Sequence, residues 1–398
     1  MTKTEIATLM GTLLALYKCS NNLVNGFSPS SSHLGMRYNG RFAFQDNQEL
    51  SMALADEALS PSEELQEGPL KISSPLKFIG PYPSLSLHFP ELATSSQRER
   101  GVSGISLDFV LDTAANTNTI NAQVAAELNL EKDGTALPGY NAAGSMDGGT
   151  TFVLGDSSLD LPEKEMFMTD LTASALPVAS PAAAGLLGVA FLNCFQGGVK
   201  FQWQNDATVT FYGKDQDMED ELSHMQRSSI EVIKDVLLPS VILKINGKEI
   251  KALLDTGSPI TVVNSAAANL ANLDVIQLPK GEEKERKGGL PNPFKKMIED
   301  VKVANSIASA AAKGDVLMIA GAQGKAVQLL KTTTPTTISI QGDDDIAFGN
   351  SNIYVGDLPG LAALDGLNGD SSPPAAVLGM DVIMTKPNML YRANEVYF

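Results

Sequence analysis

Two aspartates in matching surroundings carry the chemistry this chain offers most plainly. One closes the apolar run Asp108-Phe109-Val110-Leu111-Asp112-Thr113-Ala114, the other Lys251-Ala252-Leu253-Leu254-Asp255-Thr256-Gly257. An apolar residue follows each aspartate eight positions on, Ile120 and Val263, and an asparagine follows at nine, Asn121 and Asn264. With 46 acidic residues in the chain, acid–base work by carboxylates is the first chemistry to look for, and two carboxyl groups held together cannot both ionise cheaply. That chemistry needs neither a metal nor a cofactor, and none is expected. The composition leaves few other routes. The 3 histidines, His33, His88 and His224, fall in no recognisable motif, and the 2 cysteines, Cys19 and Cys194, make neither a disulfide framework nor a thiolate zinc site.

Positioning such a pair requires a repeated strand-and-loop unit. An apolar strand ending in Asp-Thr and a small residue can turn tightly, and the threonine hydroxyl is free to bond buried groups of the opposite half. Each half later carries a second apolar segment with a glycine, Leu186-Leu187-Gly188 and Val377-Leu378-Gly379, and glycine lets that segment pack close beneath the loop. Between them lie a helical stretch, to Leu130 and to Leu273, and a glycine-rich segment, Gly139 to Gly155 and Ala320 to Lys325. Both halves close on a hairpin pattern, Val199 to Tyr212 and Met389 to Phe398. From about Pro81 short apolar runs alternate with turn signals, which predicts an all-β chain. The exception is Pro291 to Lys313, where Phe294, Met297, Ile298, Val301, Ala304 and Ile307 recur at helical spacing.

Taken together, these motifs resemble the aspartic proteases of the pepsin and retropepsin type, and among them uncharacterised plant and algal aspartyl-protease-like proteins. The stretch Val241 to Ser258 is similar to the opening hairpin and active-site loop of the retroviral enzymes. The resemblance implies a bilobal fold of two pseudo-symmetric, retropepsin-like lobes, 76–213 and 230–398, joined by an acidic linker at 214–229, with a helical insert at 291–313. It implies that Asp112 and Asp255 form a catalytic dyad, flanked by Thr113, Ala114, Thr256, Gly257 and Ser258, in an endopeptidase acting on a peptide or protein as a monomer. Gly139, Tyr140 and Gly144 would belong to a flap over the substrate, Tyr140 being read either as a flap aromatic or as a packing residue. Three departures stand out, the third being the insert, which makes Asp255 to Gly379 a span of 124 positions against 76 from Asp112 to Gly188. Ala114 replaces the third-position glycine of the first loop, and Ala190 stands where the second half has Asp381. The first of them keeps a catalytically inactive, peptide- or protein-binding protein as the alternative. Ser258 could donate its hydroxyl to Asp255 where Ala115 offers Asp112 nothing, which predicts an activity optimum displaced toward weakly acidic or neutral pH.

With 29 Lys and Arg against 46 Asp and Glu, the net charge of −17 opposes contact with nucleic acid and anionic membrane surfaces. Near the N-terminus Lys3 precedes an apolar run from Ile6 to Tyr17, too short to span a bilayer, in the order of a signal peptide at 1–26. A Ser-rich, acid-poor stretch follows, so 27–75 reads as a transit peptide and disordered lead-in, or as an ordinary flexible tail. The first reading predicts a plastid reached through the secretory pathway, the alternative being secretion or an endomembrane lumen.

Overall fold

Alternating burial sets the strands. In Leu238–Ile245 the side chains of Val241, Leu243 and Ile245 are buried while Ile242 and Lys244 lie nearer solvent, the period of a strand with one face on a core. It runs antiparallel to Lys248–Leu254 through Asn246-Gly247, both at positive φ. A two-residue turn of that kind matches the twist of the strands it joins. Each leucine buried completely in these strands, Leu243 and Leu254 among them, contributes about 2 kcal/mol of apolar burial.

The computed structural model describes residues 71–135, 139–141, 144–146, 149–159, 166–176, 182–214, 216–233, 236–278, 305–320, 326–361 and 373–398. The chain divides into two units, Met1–Gly35 and Met36–Phe398. The first unit and the residues up to 70 lie outside the described residues, and the signal- and transit-peptide expectations lie there with them. What is described is mostly strand with a few short helices.

The same strand pattern occurs twice. In the first half Ile105–Leu111 pairs antiparallel with Tyr82–Phe89 and parallel with the returning strand Gly185–Leu187, which pairs antiparallel with Thr119–Asn121. In the second half Lys248–Leu254 pairs antiparallel with Leu238–Ile245 and parallel with Ala375–Leu378, which pairs antiparallel with Val262–Val263. The asparagine nine positions after each aspartate caps a helix. Asn121 Oδ1 accepts from Gln123 N at 2.9 Å ahead of Ala122–Leu128, and Asn264 Oδ1 accepts from Ala267 N at 2.9 Å ahead of Ser265–Leu270. The spacing therefore marks a helix start.

The closing hairpins join the halves. Gly198–Gln202 of the first pairs with Asn388–Arg392 of the second at the centre of a six-stranded sheet, and the order outward from that pair is mirrored. Its outermost strands, Lys71–Pro75 and Arg227–Ser229, correct two boundaries. Residues 71–75 are a paired strand rather than lead-in, and 227–229 a paired strand rather than linker. The acidic stretch is also docked: burial opposes the charge on Glu221, but hydrogen bonds from Lys200 at 2.5 Å and Lys71 at 3.0 Å, with Tyr212, hold its carboxyl down at about 2. An unpatterned charge run looked like linker because its partners lie on strands distant in sequence. Of the helical insert, residues 305–312 are helical and 291–304 lie outside the described residues.

Candidate active site

Both aspartates end a buried strand at the same point of the repeat. Asp112 N–H donates to Leu187 O at 3.0 Å and Asp255 N–H to Leu378 O at 3.1 Å, so each loop hangs from its returning strand. The glycines beneath are required by contact. A Cβ on Gly188 would collide with Ala115 O, and one on Gly379 with Ile260 O.

Threonines lock the two loops together. Thr113 Oγ1 donates to Leu254 O at 2.6 Å, and Thr256 Oγ1 donates to Leu111 O at 2.7 Å. In return Thr113 N–H donates to Thr256 Oγ1 at 3.1 Å and Thr256 N–H to Thr113 Oγ1 at 3.0 Å. Both threonines are fully buried, so every polar group in the exchange is spent on the opposite half.

This exchange brings Asp112 and Asp255, 7% and 3% exposed, within hydrogen-bonding reach of one another. Burial raises both carboxyl groups above the ordinary range, Asp112 to about 6 and Asp255 well above its usual value, where the Asp112 charge adds to the burial. Ala114 N–H donates to Asp112 Oδ1 at 2.8 Å, and Gly257 N–H faces both carboxyl groups. A pair of this kind, titrating as a unit with one proton between its members, can act as base and acid on one water.

The hydroxyl expected on Asp255 is directed elsewhere. Ser258 Oγ donates to Ile260 O at 2.8 Å, and only the Ser258 backbone N–H serves the carboxylate. The hydroxyl therefore does not hold the Asp255 charge, and it displaces no pH optimum. An Ala115→Ser variant is expected to leave both limbs of a pH–rate profile in place, the new hydroxyl bonding along its own loop. A shifted limb would restore the hydroxyl argument.

Ala190 against Asp381 has a physical reason. In the first lobe Asn118 Oδ1 accepts directly from Gly188 N–H at 3.1 Å. Six positions after the other aspartate stands Thr261, whose Oγ1 accepts from Gly379 N–H at 3.0 Å and must place its own proton, which Asp381 Oδ1 takes at 2.7 Å. An amide oxygen has no proton to place, so alanine suffices at 190. Asp381→Ala should cost about 1 kcal/mol by stranding the Thr261 hydroxyl. Adding Thr261→Asn, which rebuilds the first-lobe arrangement, should recover part of it in urea midpoints. No recovery would mean that Asp381 serves another role.

Of the residues expected in a flap, Gly139 and Tyr140 lie on the strand Gly139–Asn141 and Gly144 on its antiparallel partner Gly144–Met146. The side chain of Tyr140 lies outside the described residues. Sequence reasoning missed Tyr82. The register that pairs Ser84 with Val110 carries Tyr82 to a point opposite Asp112, and burial together with the charges of Asp255 and Asp112 raises its phenol. The connection between the two strands is long and holds the helix Ser95–Glu99, so no turn length in the sequence fixes the register that places it.

No protein-family model and no curated protein matches the chain. Among solved structures it is similar in fold to an aspartic proteinase from Irpex lacteus, at 11% identity and a TM-score of 0.44 over 82% of this chain and 96% of that one. It is also similar to basic 7S globulin from soybean, at 9% identity and 0.40 over 83% and 96%, and to conglutin gamma from lupine seeds, at 9% and 0.41 over 83% and 95%. One of these is named a proteinase and two are named globulins.

Proposed function

We propose that the protein is an aspartic-type endopeptidase in which Asp112 and Asp255 act on one water, the ionised member as base toward it and the protonated member as acid toward the peptide carbonyl. One observation supports this above the others: two buried carboxyl groups from symmetric loops lie within hydrogen-bonding reach of each other. A fold with no use for the pair would be more stable without two desolvated acids side by side. Substrate would lie extended across the loops, with Tyr82 among the side chains it meets. A second reading, peptide binding without hydrolysis, draws on the buried Ala114 methyl beside the dyad. Cleavage of an unstructured peptide mixture by the wild type and by Asp112→Asn and Asp255→Asn separates them. Product from the wild type alone is expected; equal product, or none, from all three would overturn the protease reading.

A further inference from the structure

The symmetry of the loops breaks at one methyl group. On one side, Gly257 lies flat against the Asp112 carboxylate, so close that a Cβ there would collide with its carbon and both oxygens. The residue related to it by the repeat is Ala114, which carries that very Cβ and is 1% exposed. Asp255 therefore cannot nest against Ala114 as Asp112 nests against Gly257. The hydrogen bonds diverge accordingly. Ala114 N–H reaches Asp112 Oδ1 at 2.8 Å, whereas Oδ1 of Asp255 is buried and meets no protein donor.

Resting on the dyad reading above, we propose that the Ala114 methyl group is a positioning element that assigns the shared proton to Asp255 and leaves Asp112 as the resident base. A buried carboxyl oxygen with no donor is least costly when it carries the proton and gives it away as a donor itself. The acceptor within reach is Asp112, whose negative charge is held by the Ala114 N–H and faced by Gly257 N–H. Gly257 and Ser258 N–H groups face Asp255, and Tyr82 is the further titratable side chain turned toward the pair among the described residues. Its phenol is neutral through the range in which the carboxyl groups titrate, so it adds no charge beside either of them. With glycine at 114 both sides would permit the same approach, and the proton would be shared more evenly.

The test is a site-resolved titration of the full chain labelled with 13C at the aspartate carboxyl carbons, the two resonances being identified by their loss in Asp112→Asn and Asp255→Asn. In the wild type the Asp255 signal is expected to titrate at least about one pH unit above the Asp112 signal, and in Ala114→Gly that gap should shrink to less than about half. Ala114→Ser keeps the Cβ and should keep the gap, which guards against a general effect of altering the loop. A gap unchanged by glycine, or the reverse order in the wild type, overturns the proposal. The titration needs no turnover. A chain that cuts no peptide but shows the expected gap would refute the protease reading alone, and one that cuts peptide with an unchanged gap would refute this inference alone.

Discussion

Replacing Asp112 or Asp255 by asparagine is expected to stop peptide cleavage and, above about pH 6, to make the protein more stable. Each carboxyl group is raised by its burial, Asp112 from 3.8 to about 6 and Asp255 above its ordinary value as well. A group raised in this way holds its proton in the fold at pH values where the unfolded chain has already lost it. For Asp112 that contribution to stability is complete below about pH 4 and is lost as the pH climbs through about 6. A rise of about two units in one carboxyl group corresponds to roughly 3 kcal/mol of that loss. Asparagine at 112 keeps an acceptor oxygen for the Ala114 N–H, and at either position it has no charge to desolvate. Either variant should therefore gain on the order of 2 kcal/mol over the wild type near pH 7.5 and nothing near pH 4, while cleavage falls by about a thousandfold or more. Urea midpoints at the two pH values, read beside the peptide assay, decide the matter. A variant destabilised equally at both would show that the pair is not the strained, proton-sharing site described above.

Thr256→Val should give a large loss of stability for a single methyl-for-hydroxyl exchange. The valine has nearly the shape of threonine, so packing is kept while two bonds across the halves vanish. Thr113 N–H and Leu111 C=O would be left buried without the partner each has at 3.1 and 2.7 Å. Each stranded group costs about 1–3 kcal/mol, so a combined loss of about 3–5 kcal/mol is expected. Thr256→Ser keeps the hydroxyl and should lose about 1 kcal/mol for the missing methyl group. Cleavage should fall with Thr256→Val at temperatures where the variant is still folded, because the two aspartates no longer keep their mutual register. A loss below about 1 kcal/mol would mean that the exchange of hydroxyls is an ornament of the fold rather than what joins the loops.

Much of this architecture is legible before folding. A strand declares itself by alternation, a helix start by a capping asparagine, and a duplication by the recurrence of both at the same distance from an aspartate, as at Asn121 and Asn264. These are local signals, and local periodicity is what a linear chain can carry. Gly188 and Gly379 were legible for the same reason, since only glycine tolerates the carbonyl that each meets. What required the tertiary structure is every choice of partner. The Ser258 hydroxyl had two acceptors in principle, and only the path of its loop decided for Ile260 O over Asp255. The acidic stretch around Glu221 carries no pattern of its own, and its place was set by lysines on two strands of a sheet that both halves build. Tyr82 sits beside the dyad because the hairpin register carries it there, 30 positions before Asp112. The pairing of Asp112 with Asp255 belongs to this second kind. The chain supplies two similar loops, but their carboxyl groups meet only because the threonine exchange brings residues 143 apart into one buried contact, where desolvation and the neighbouring charge act together.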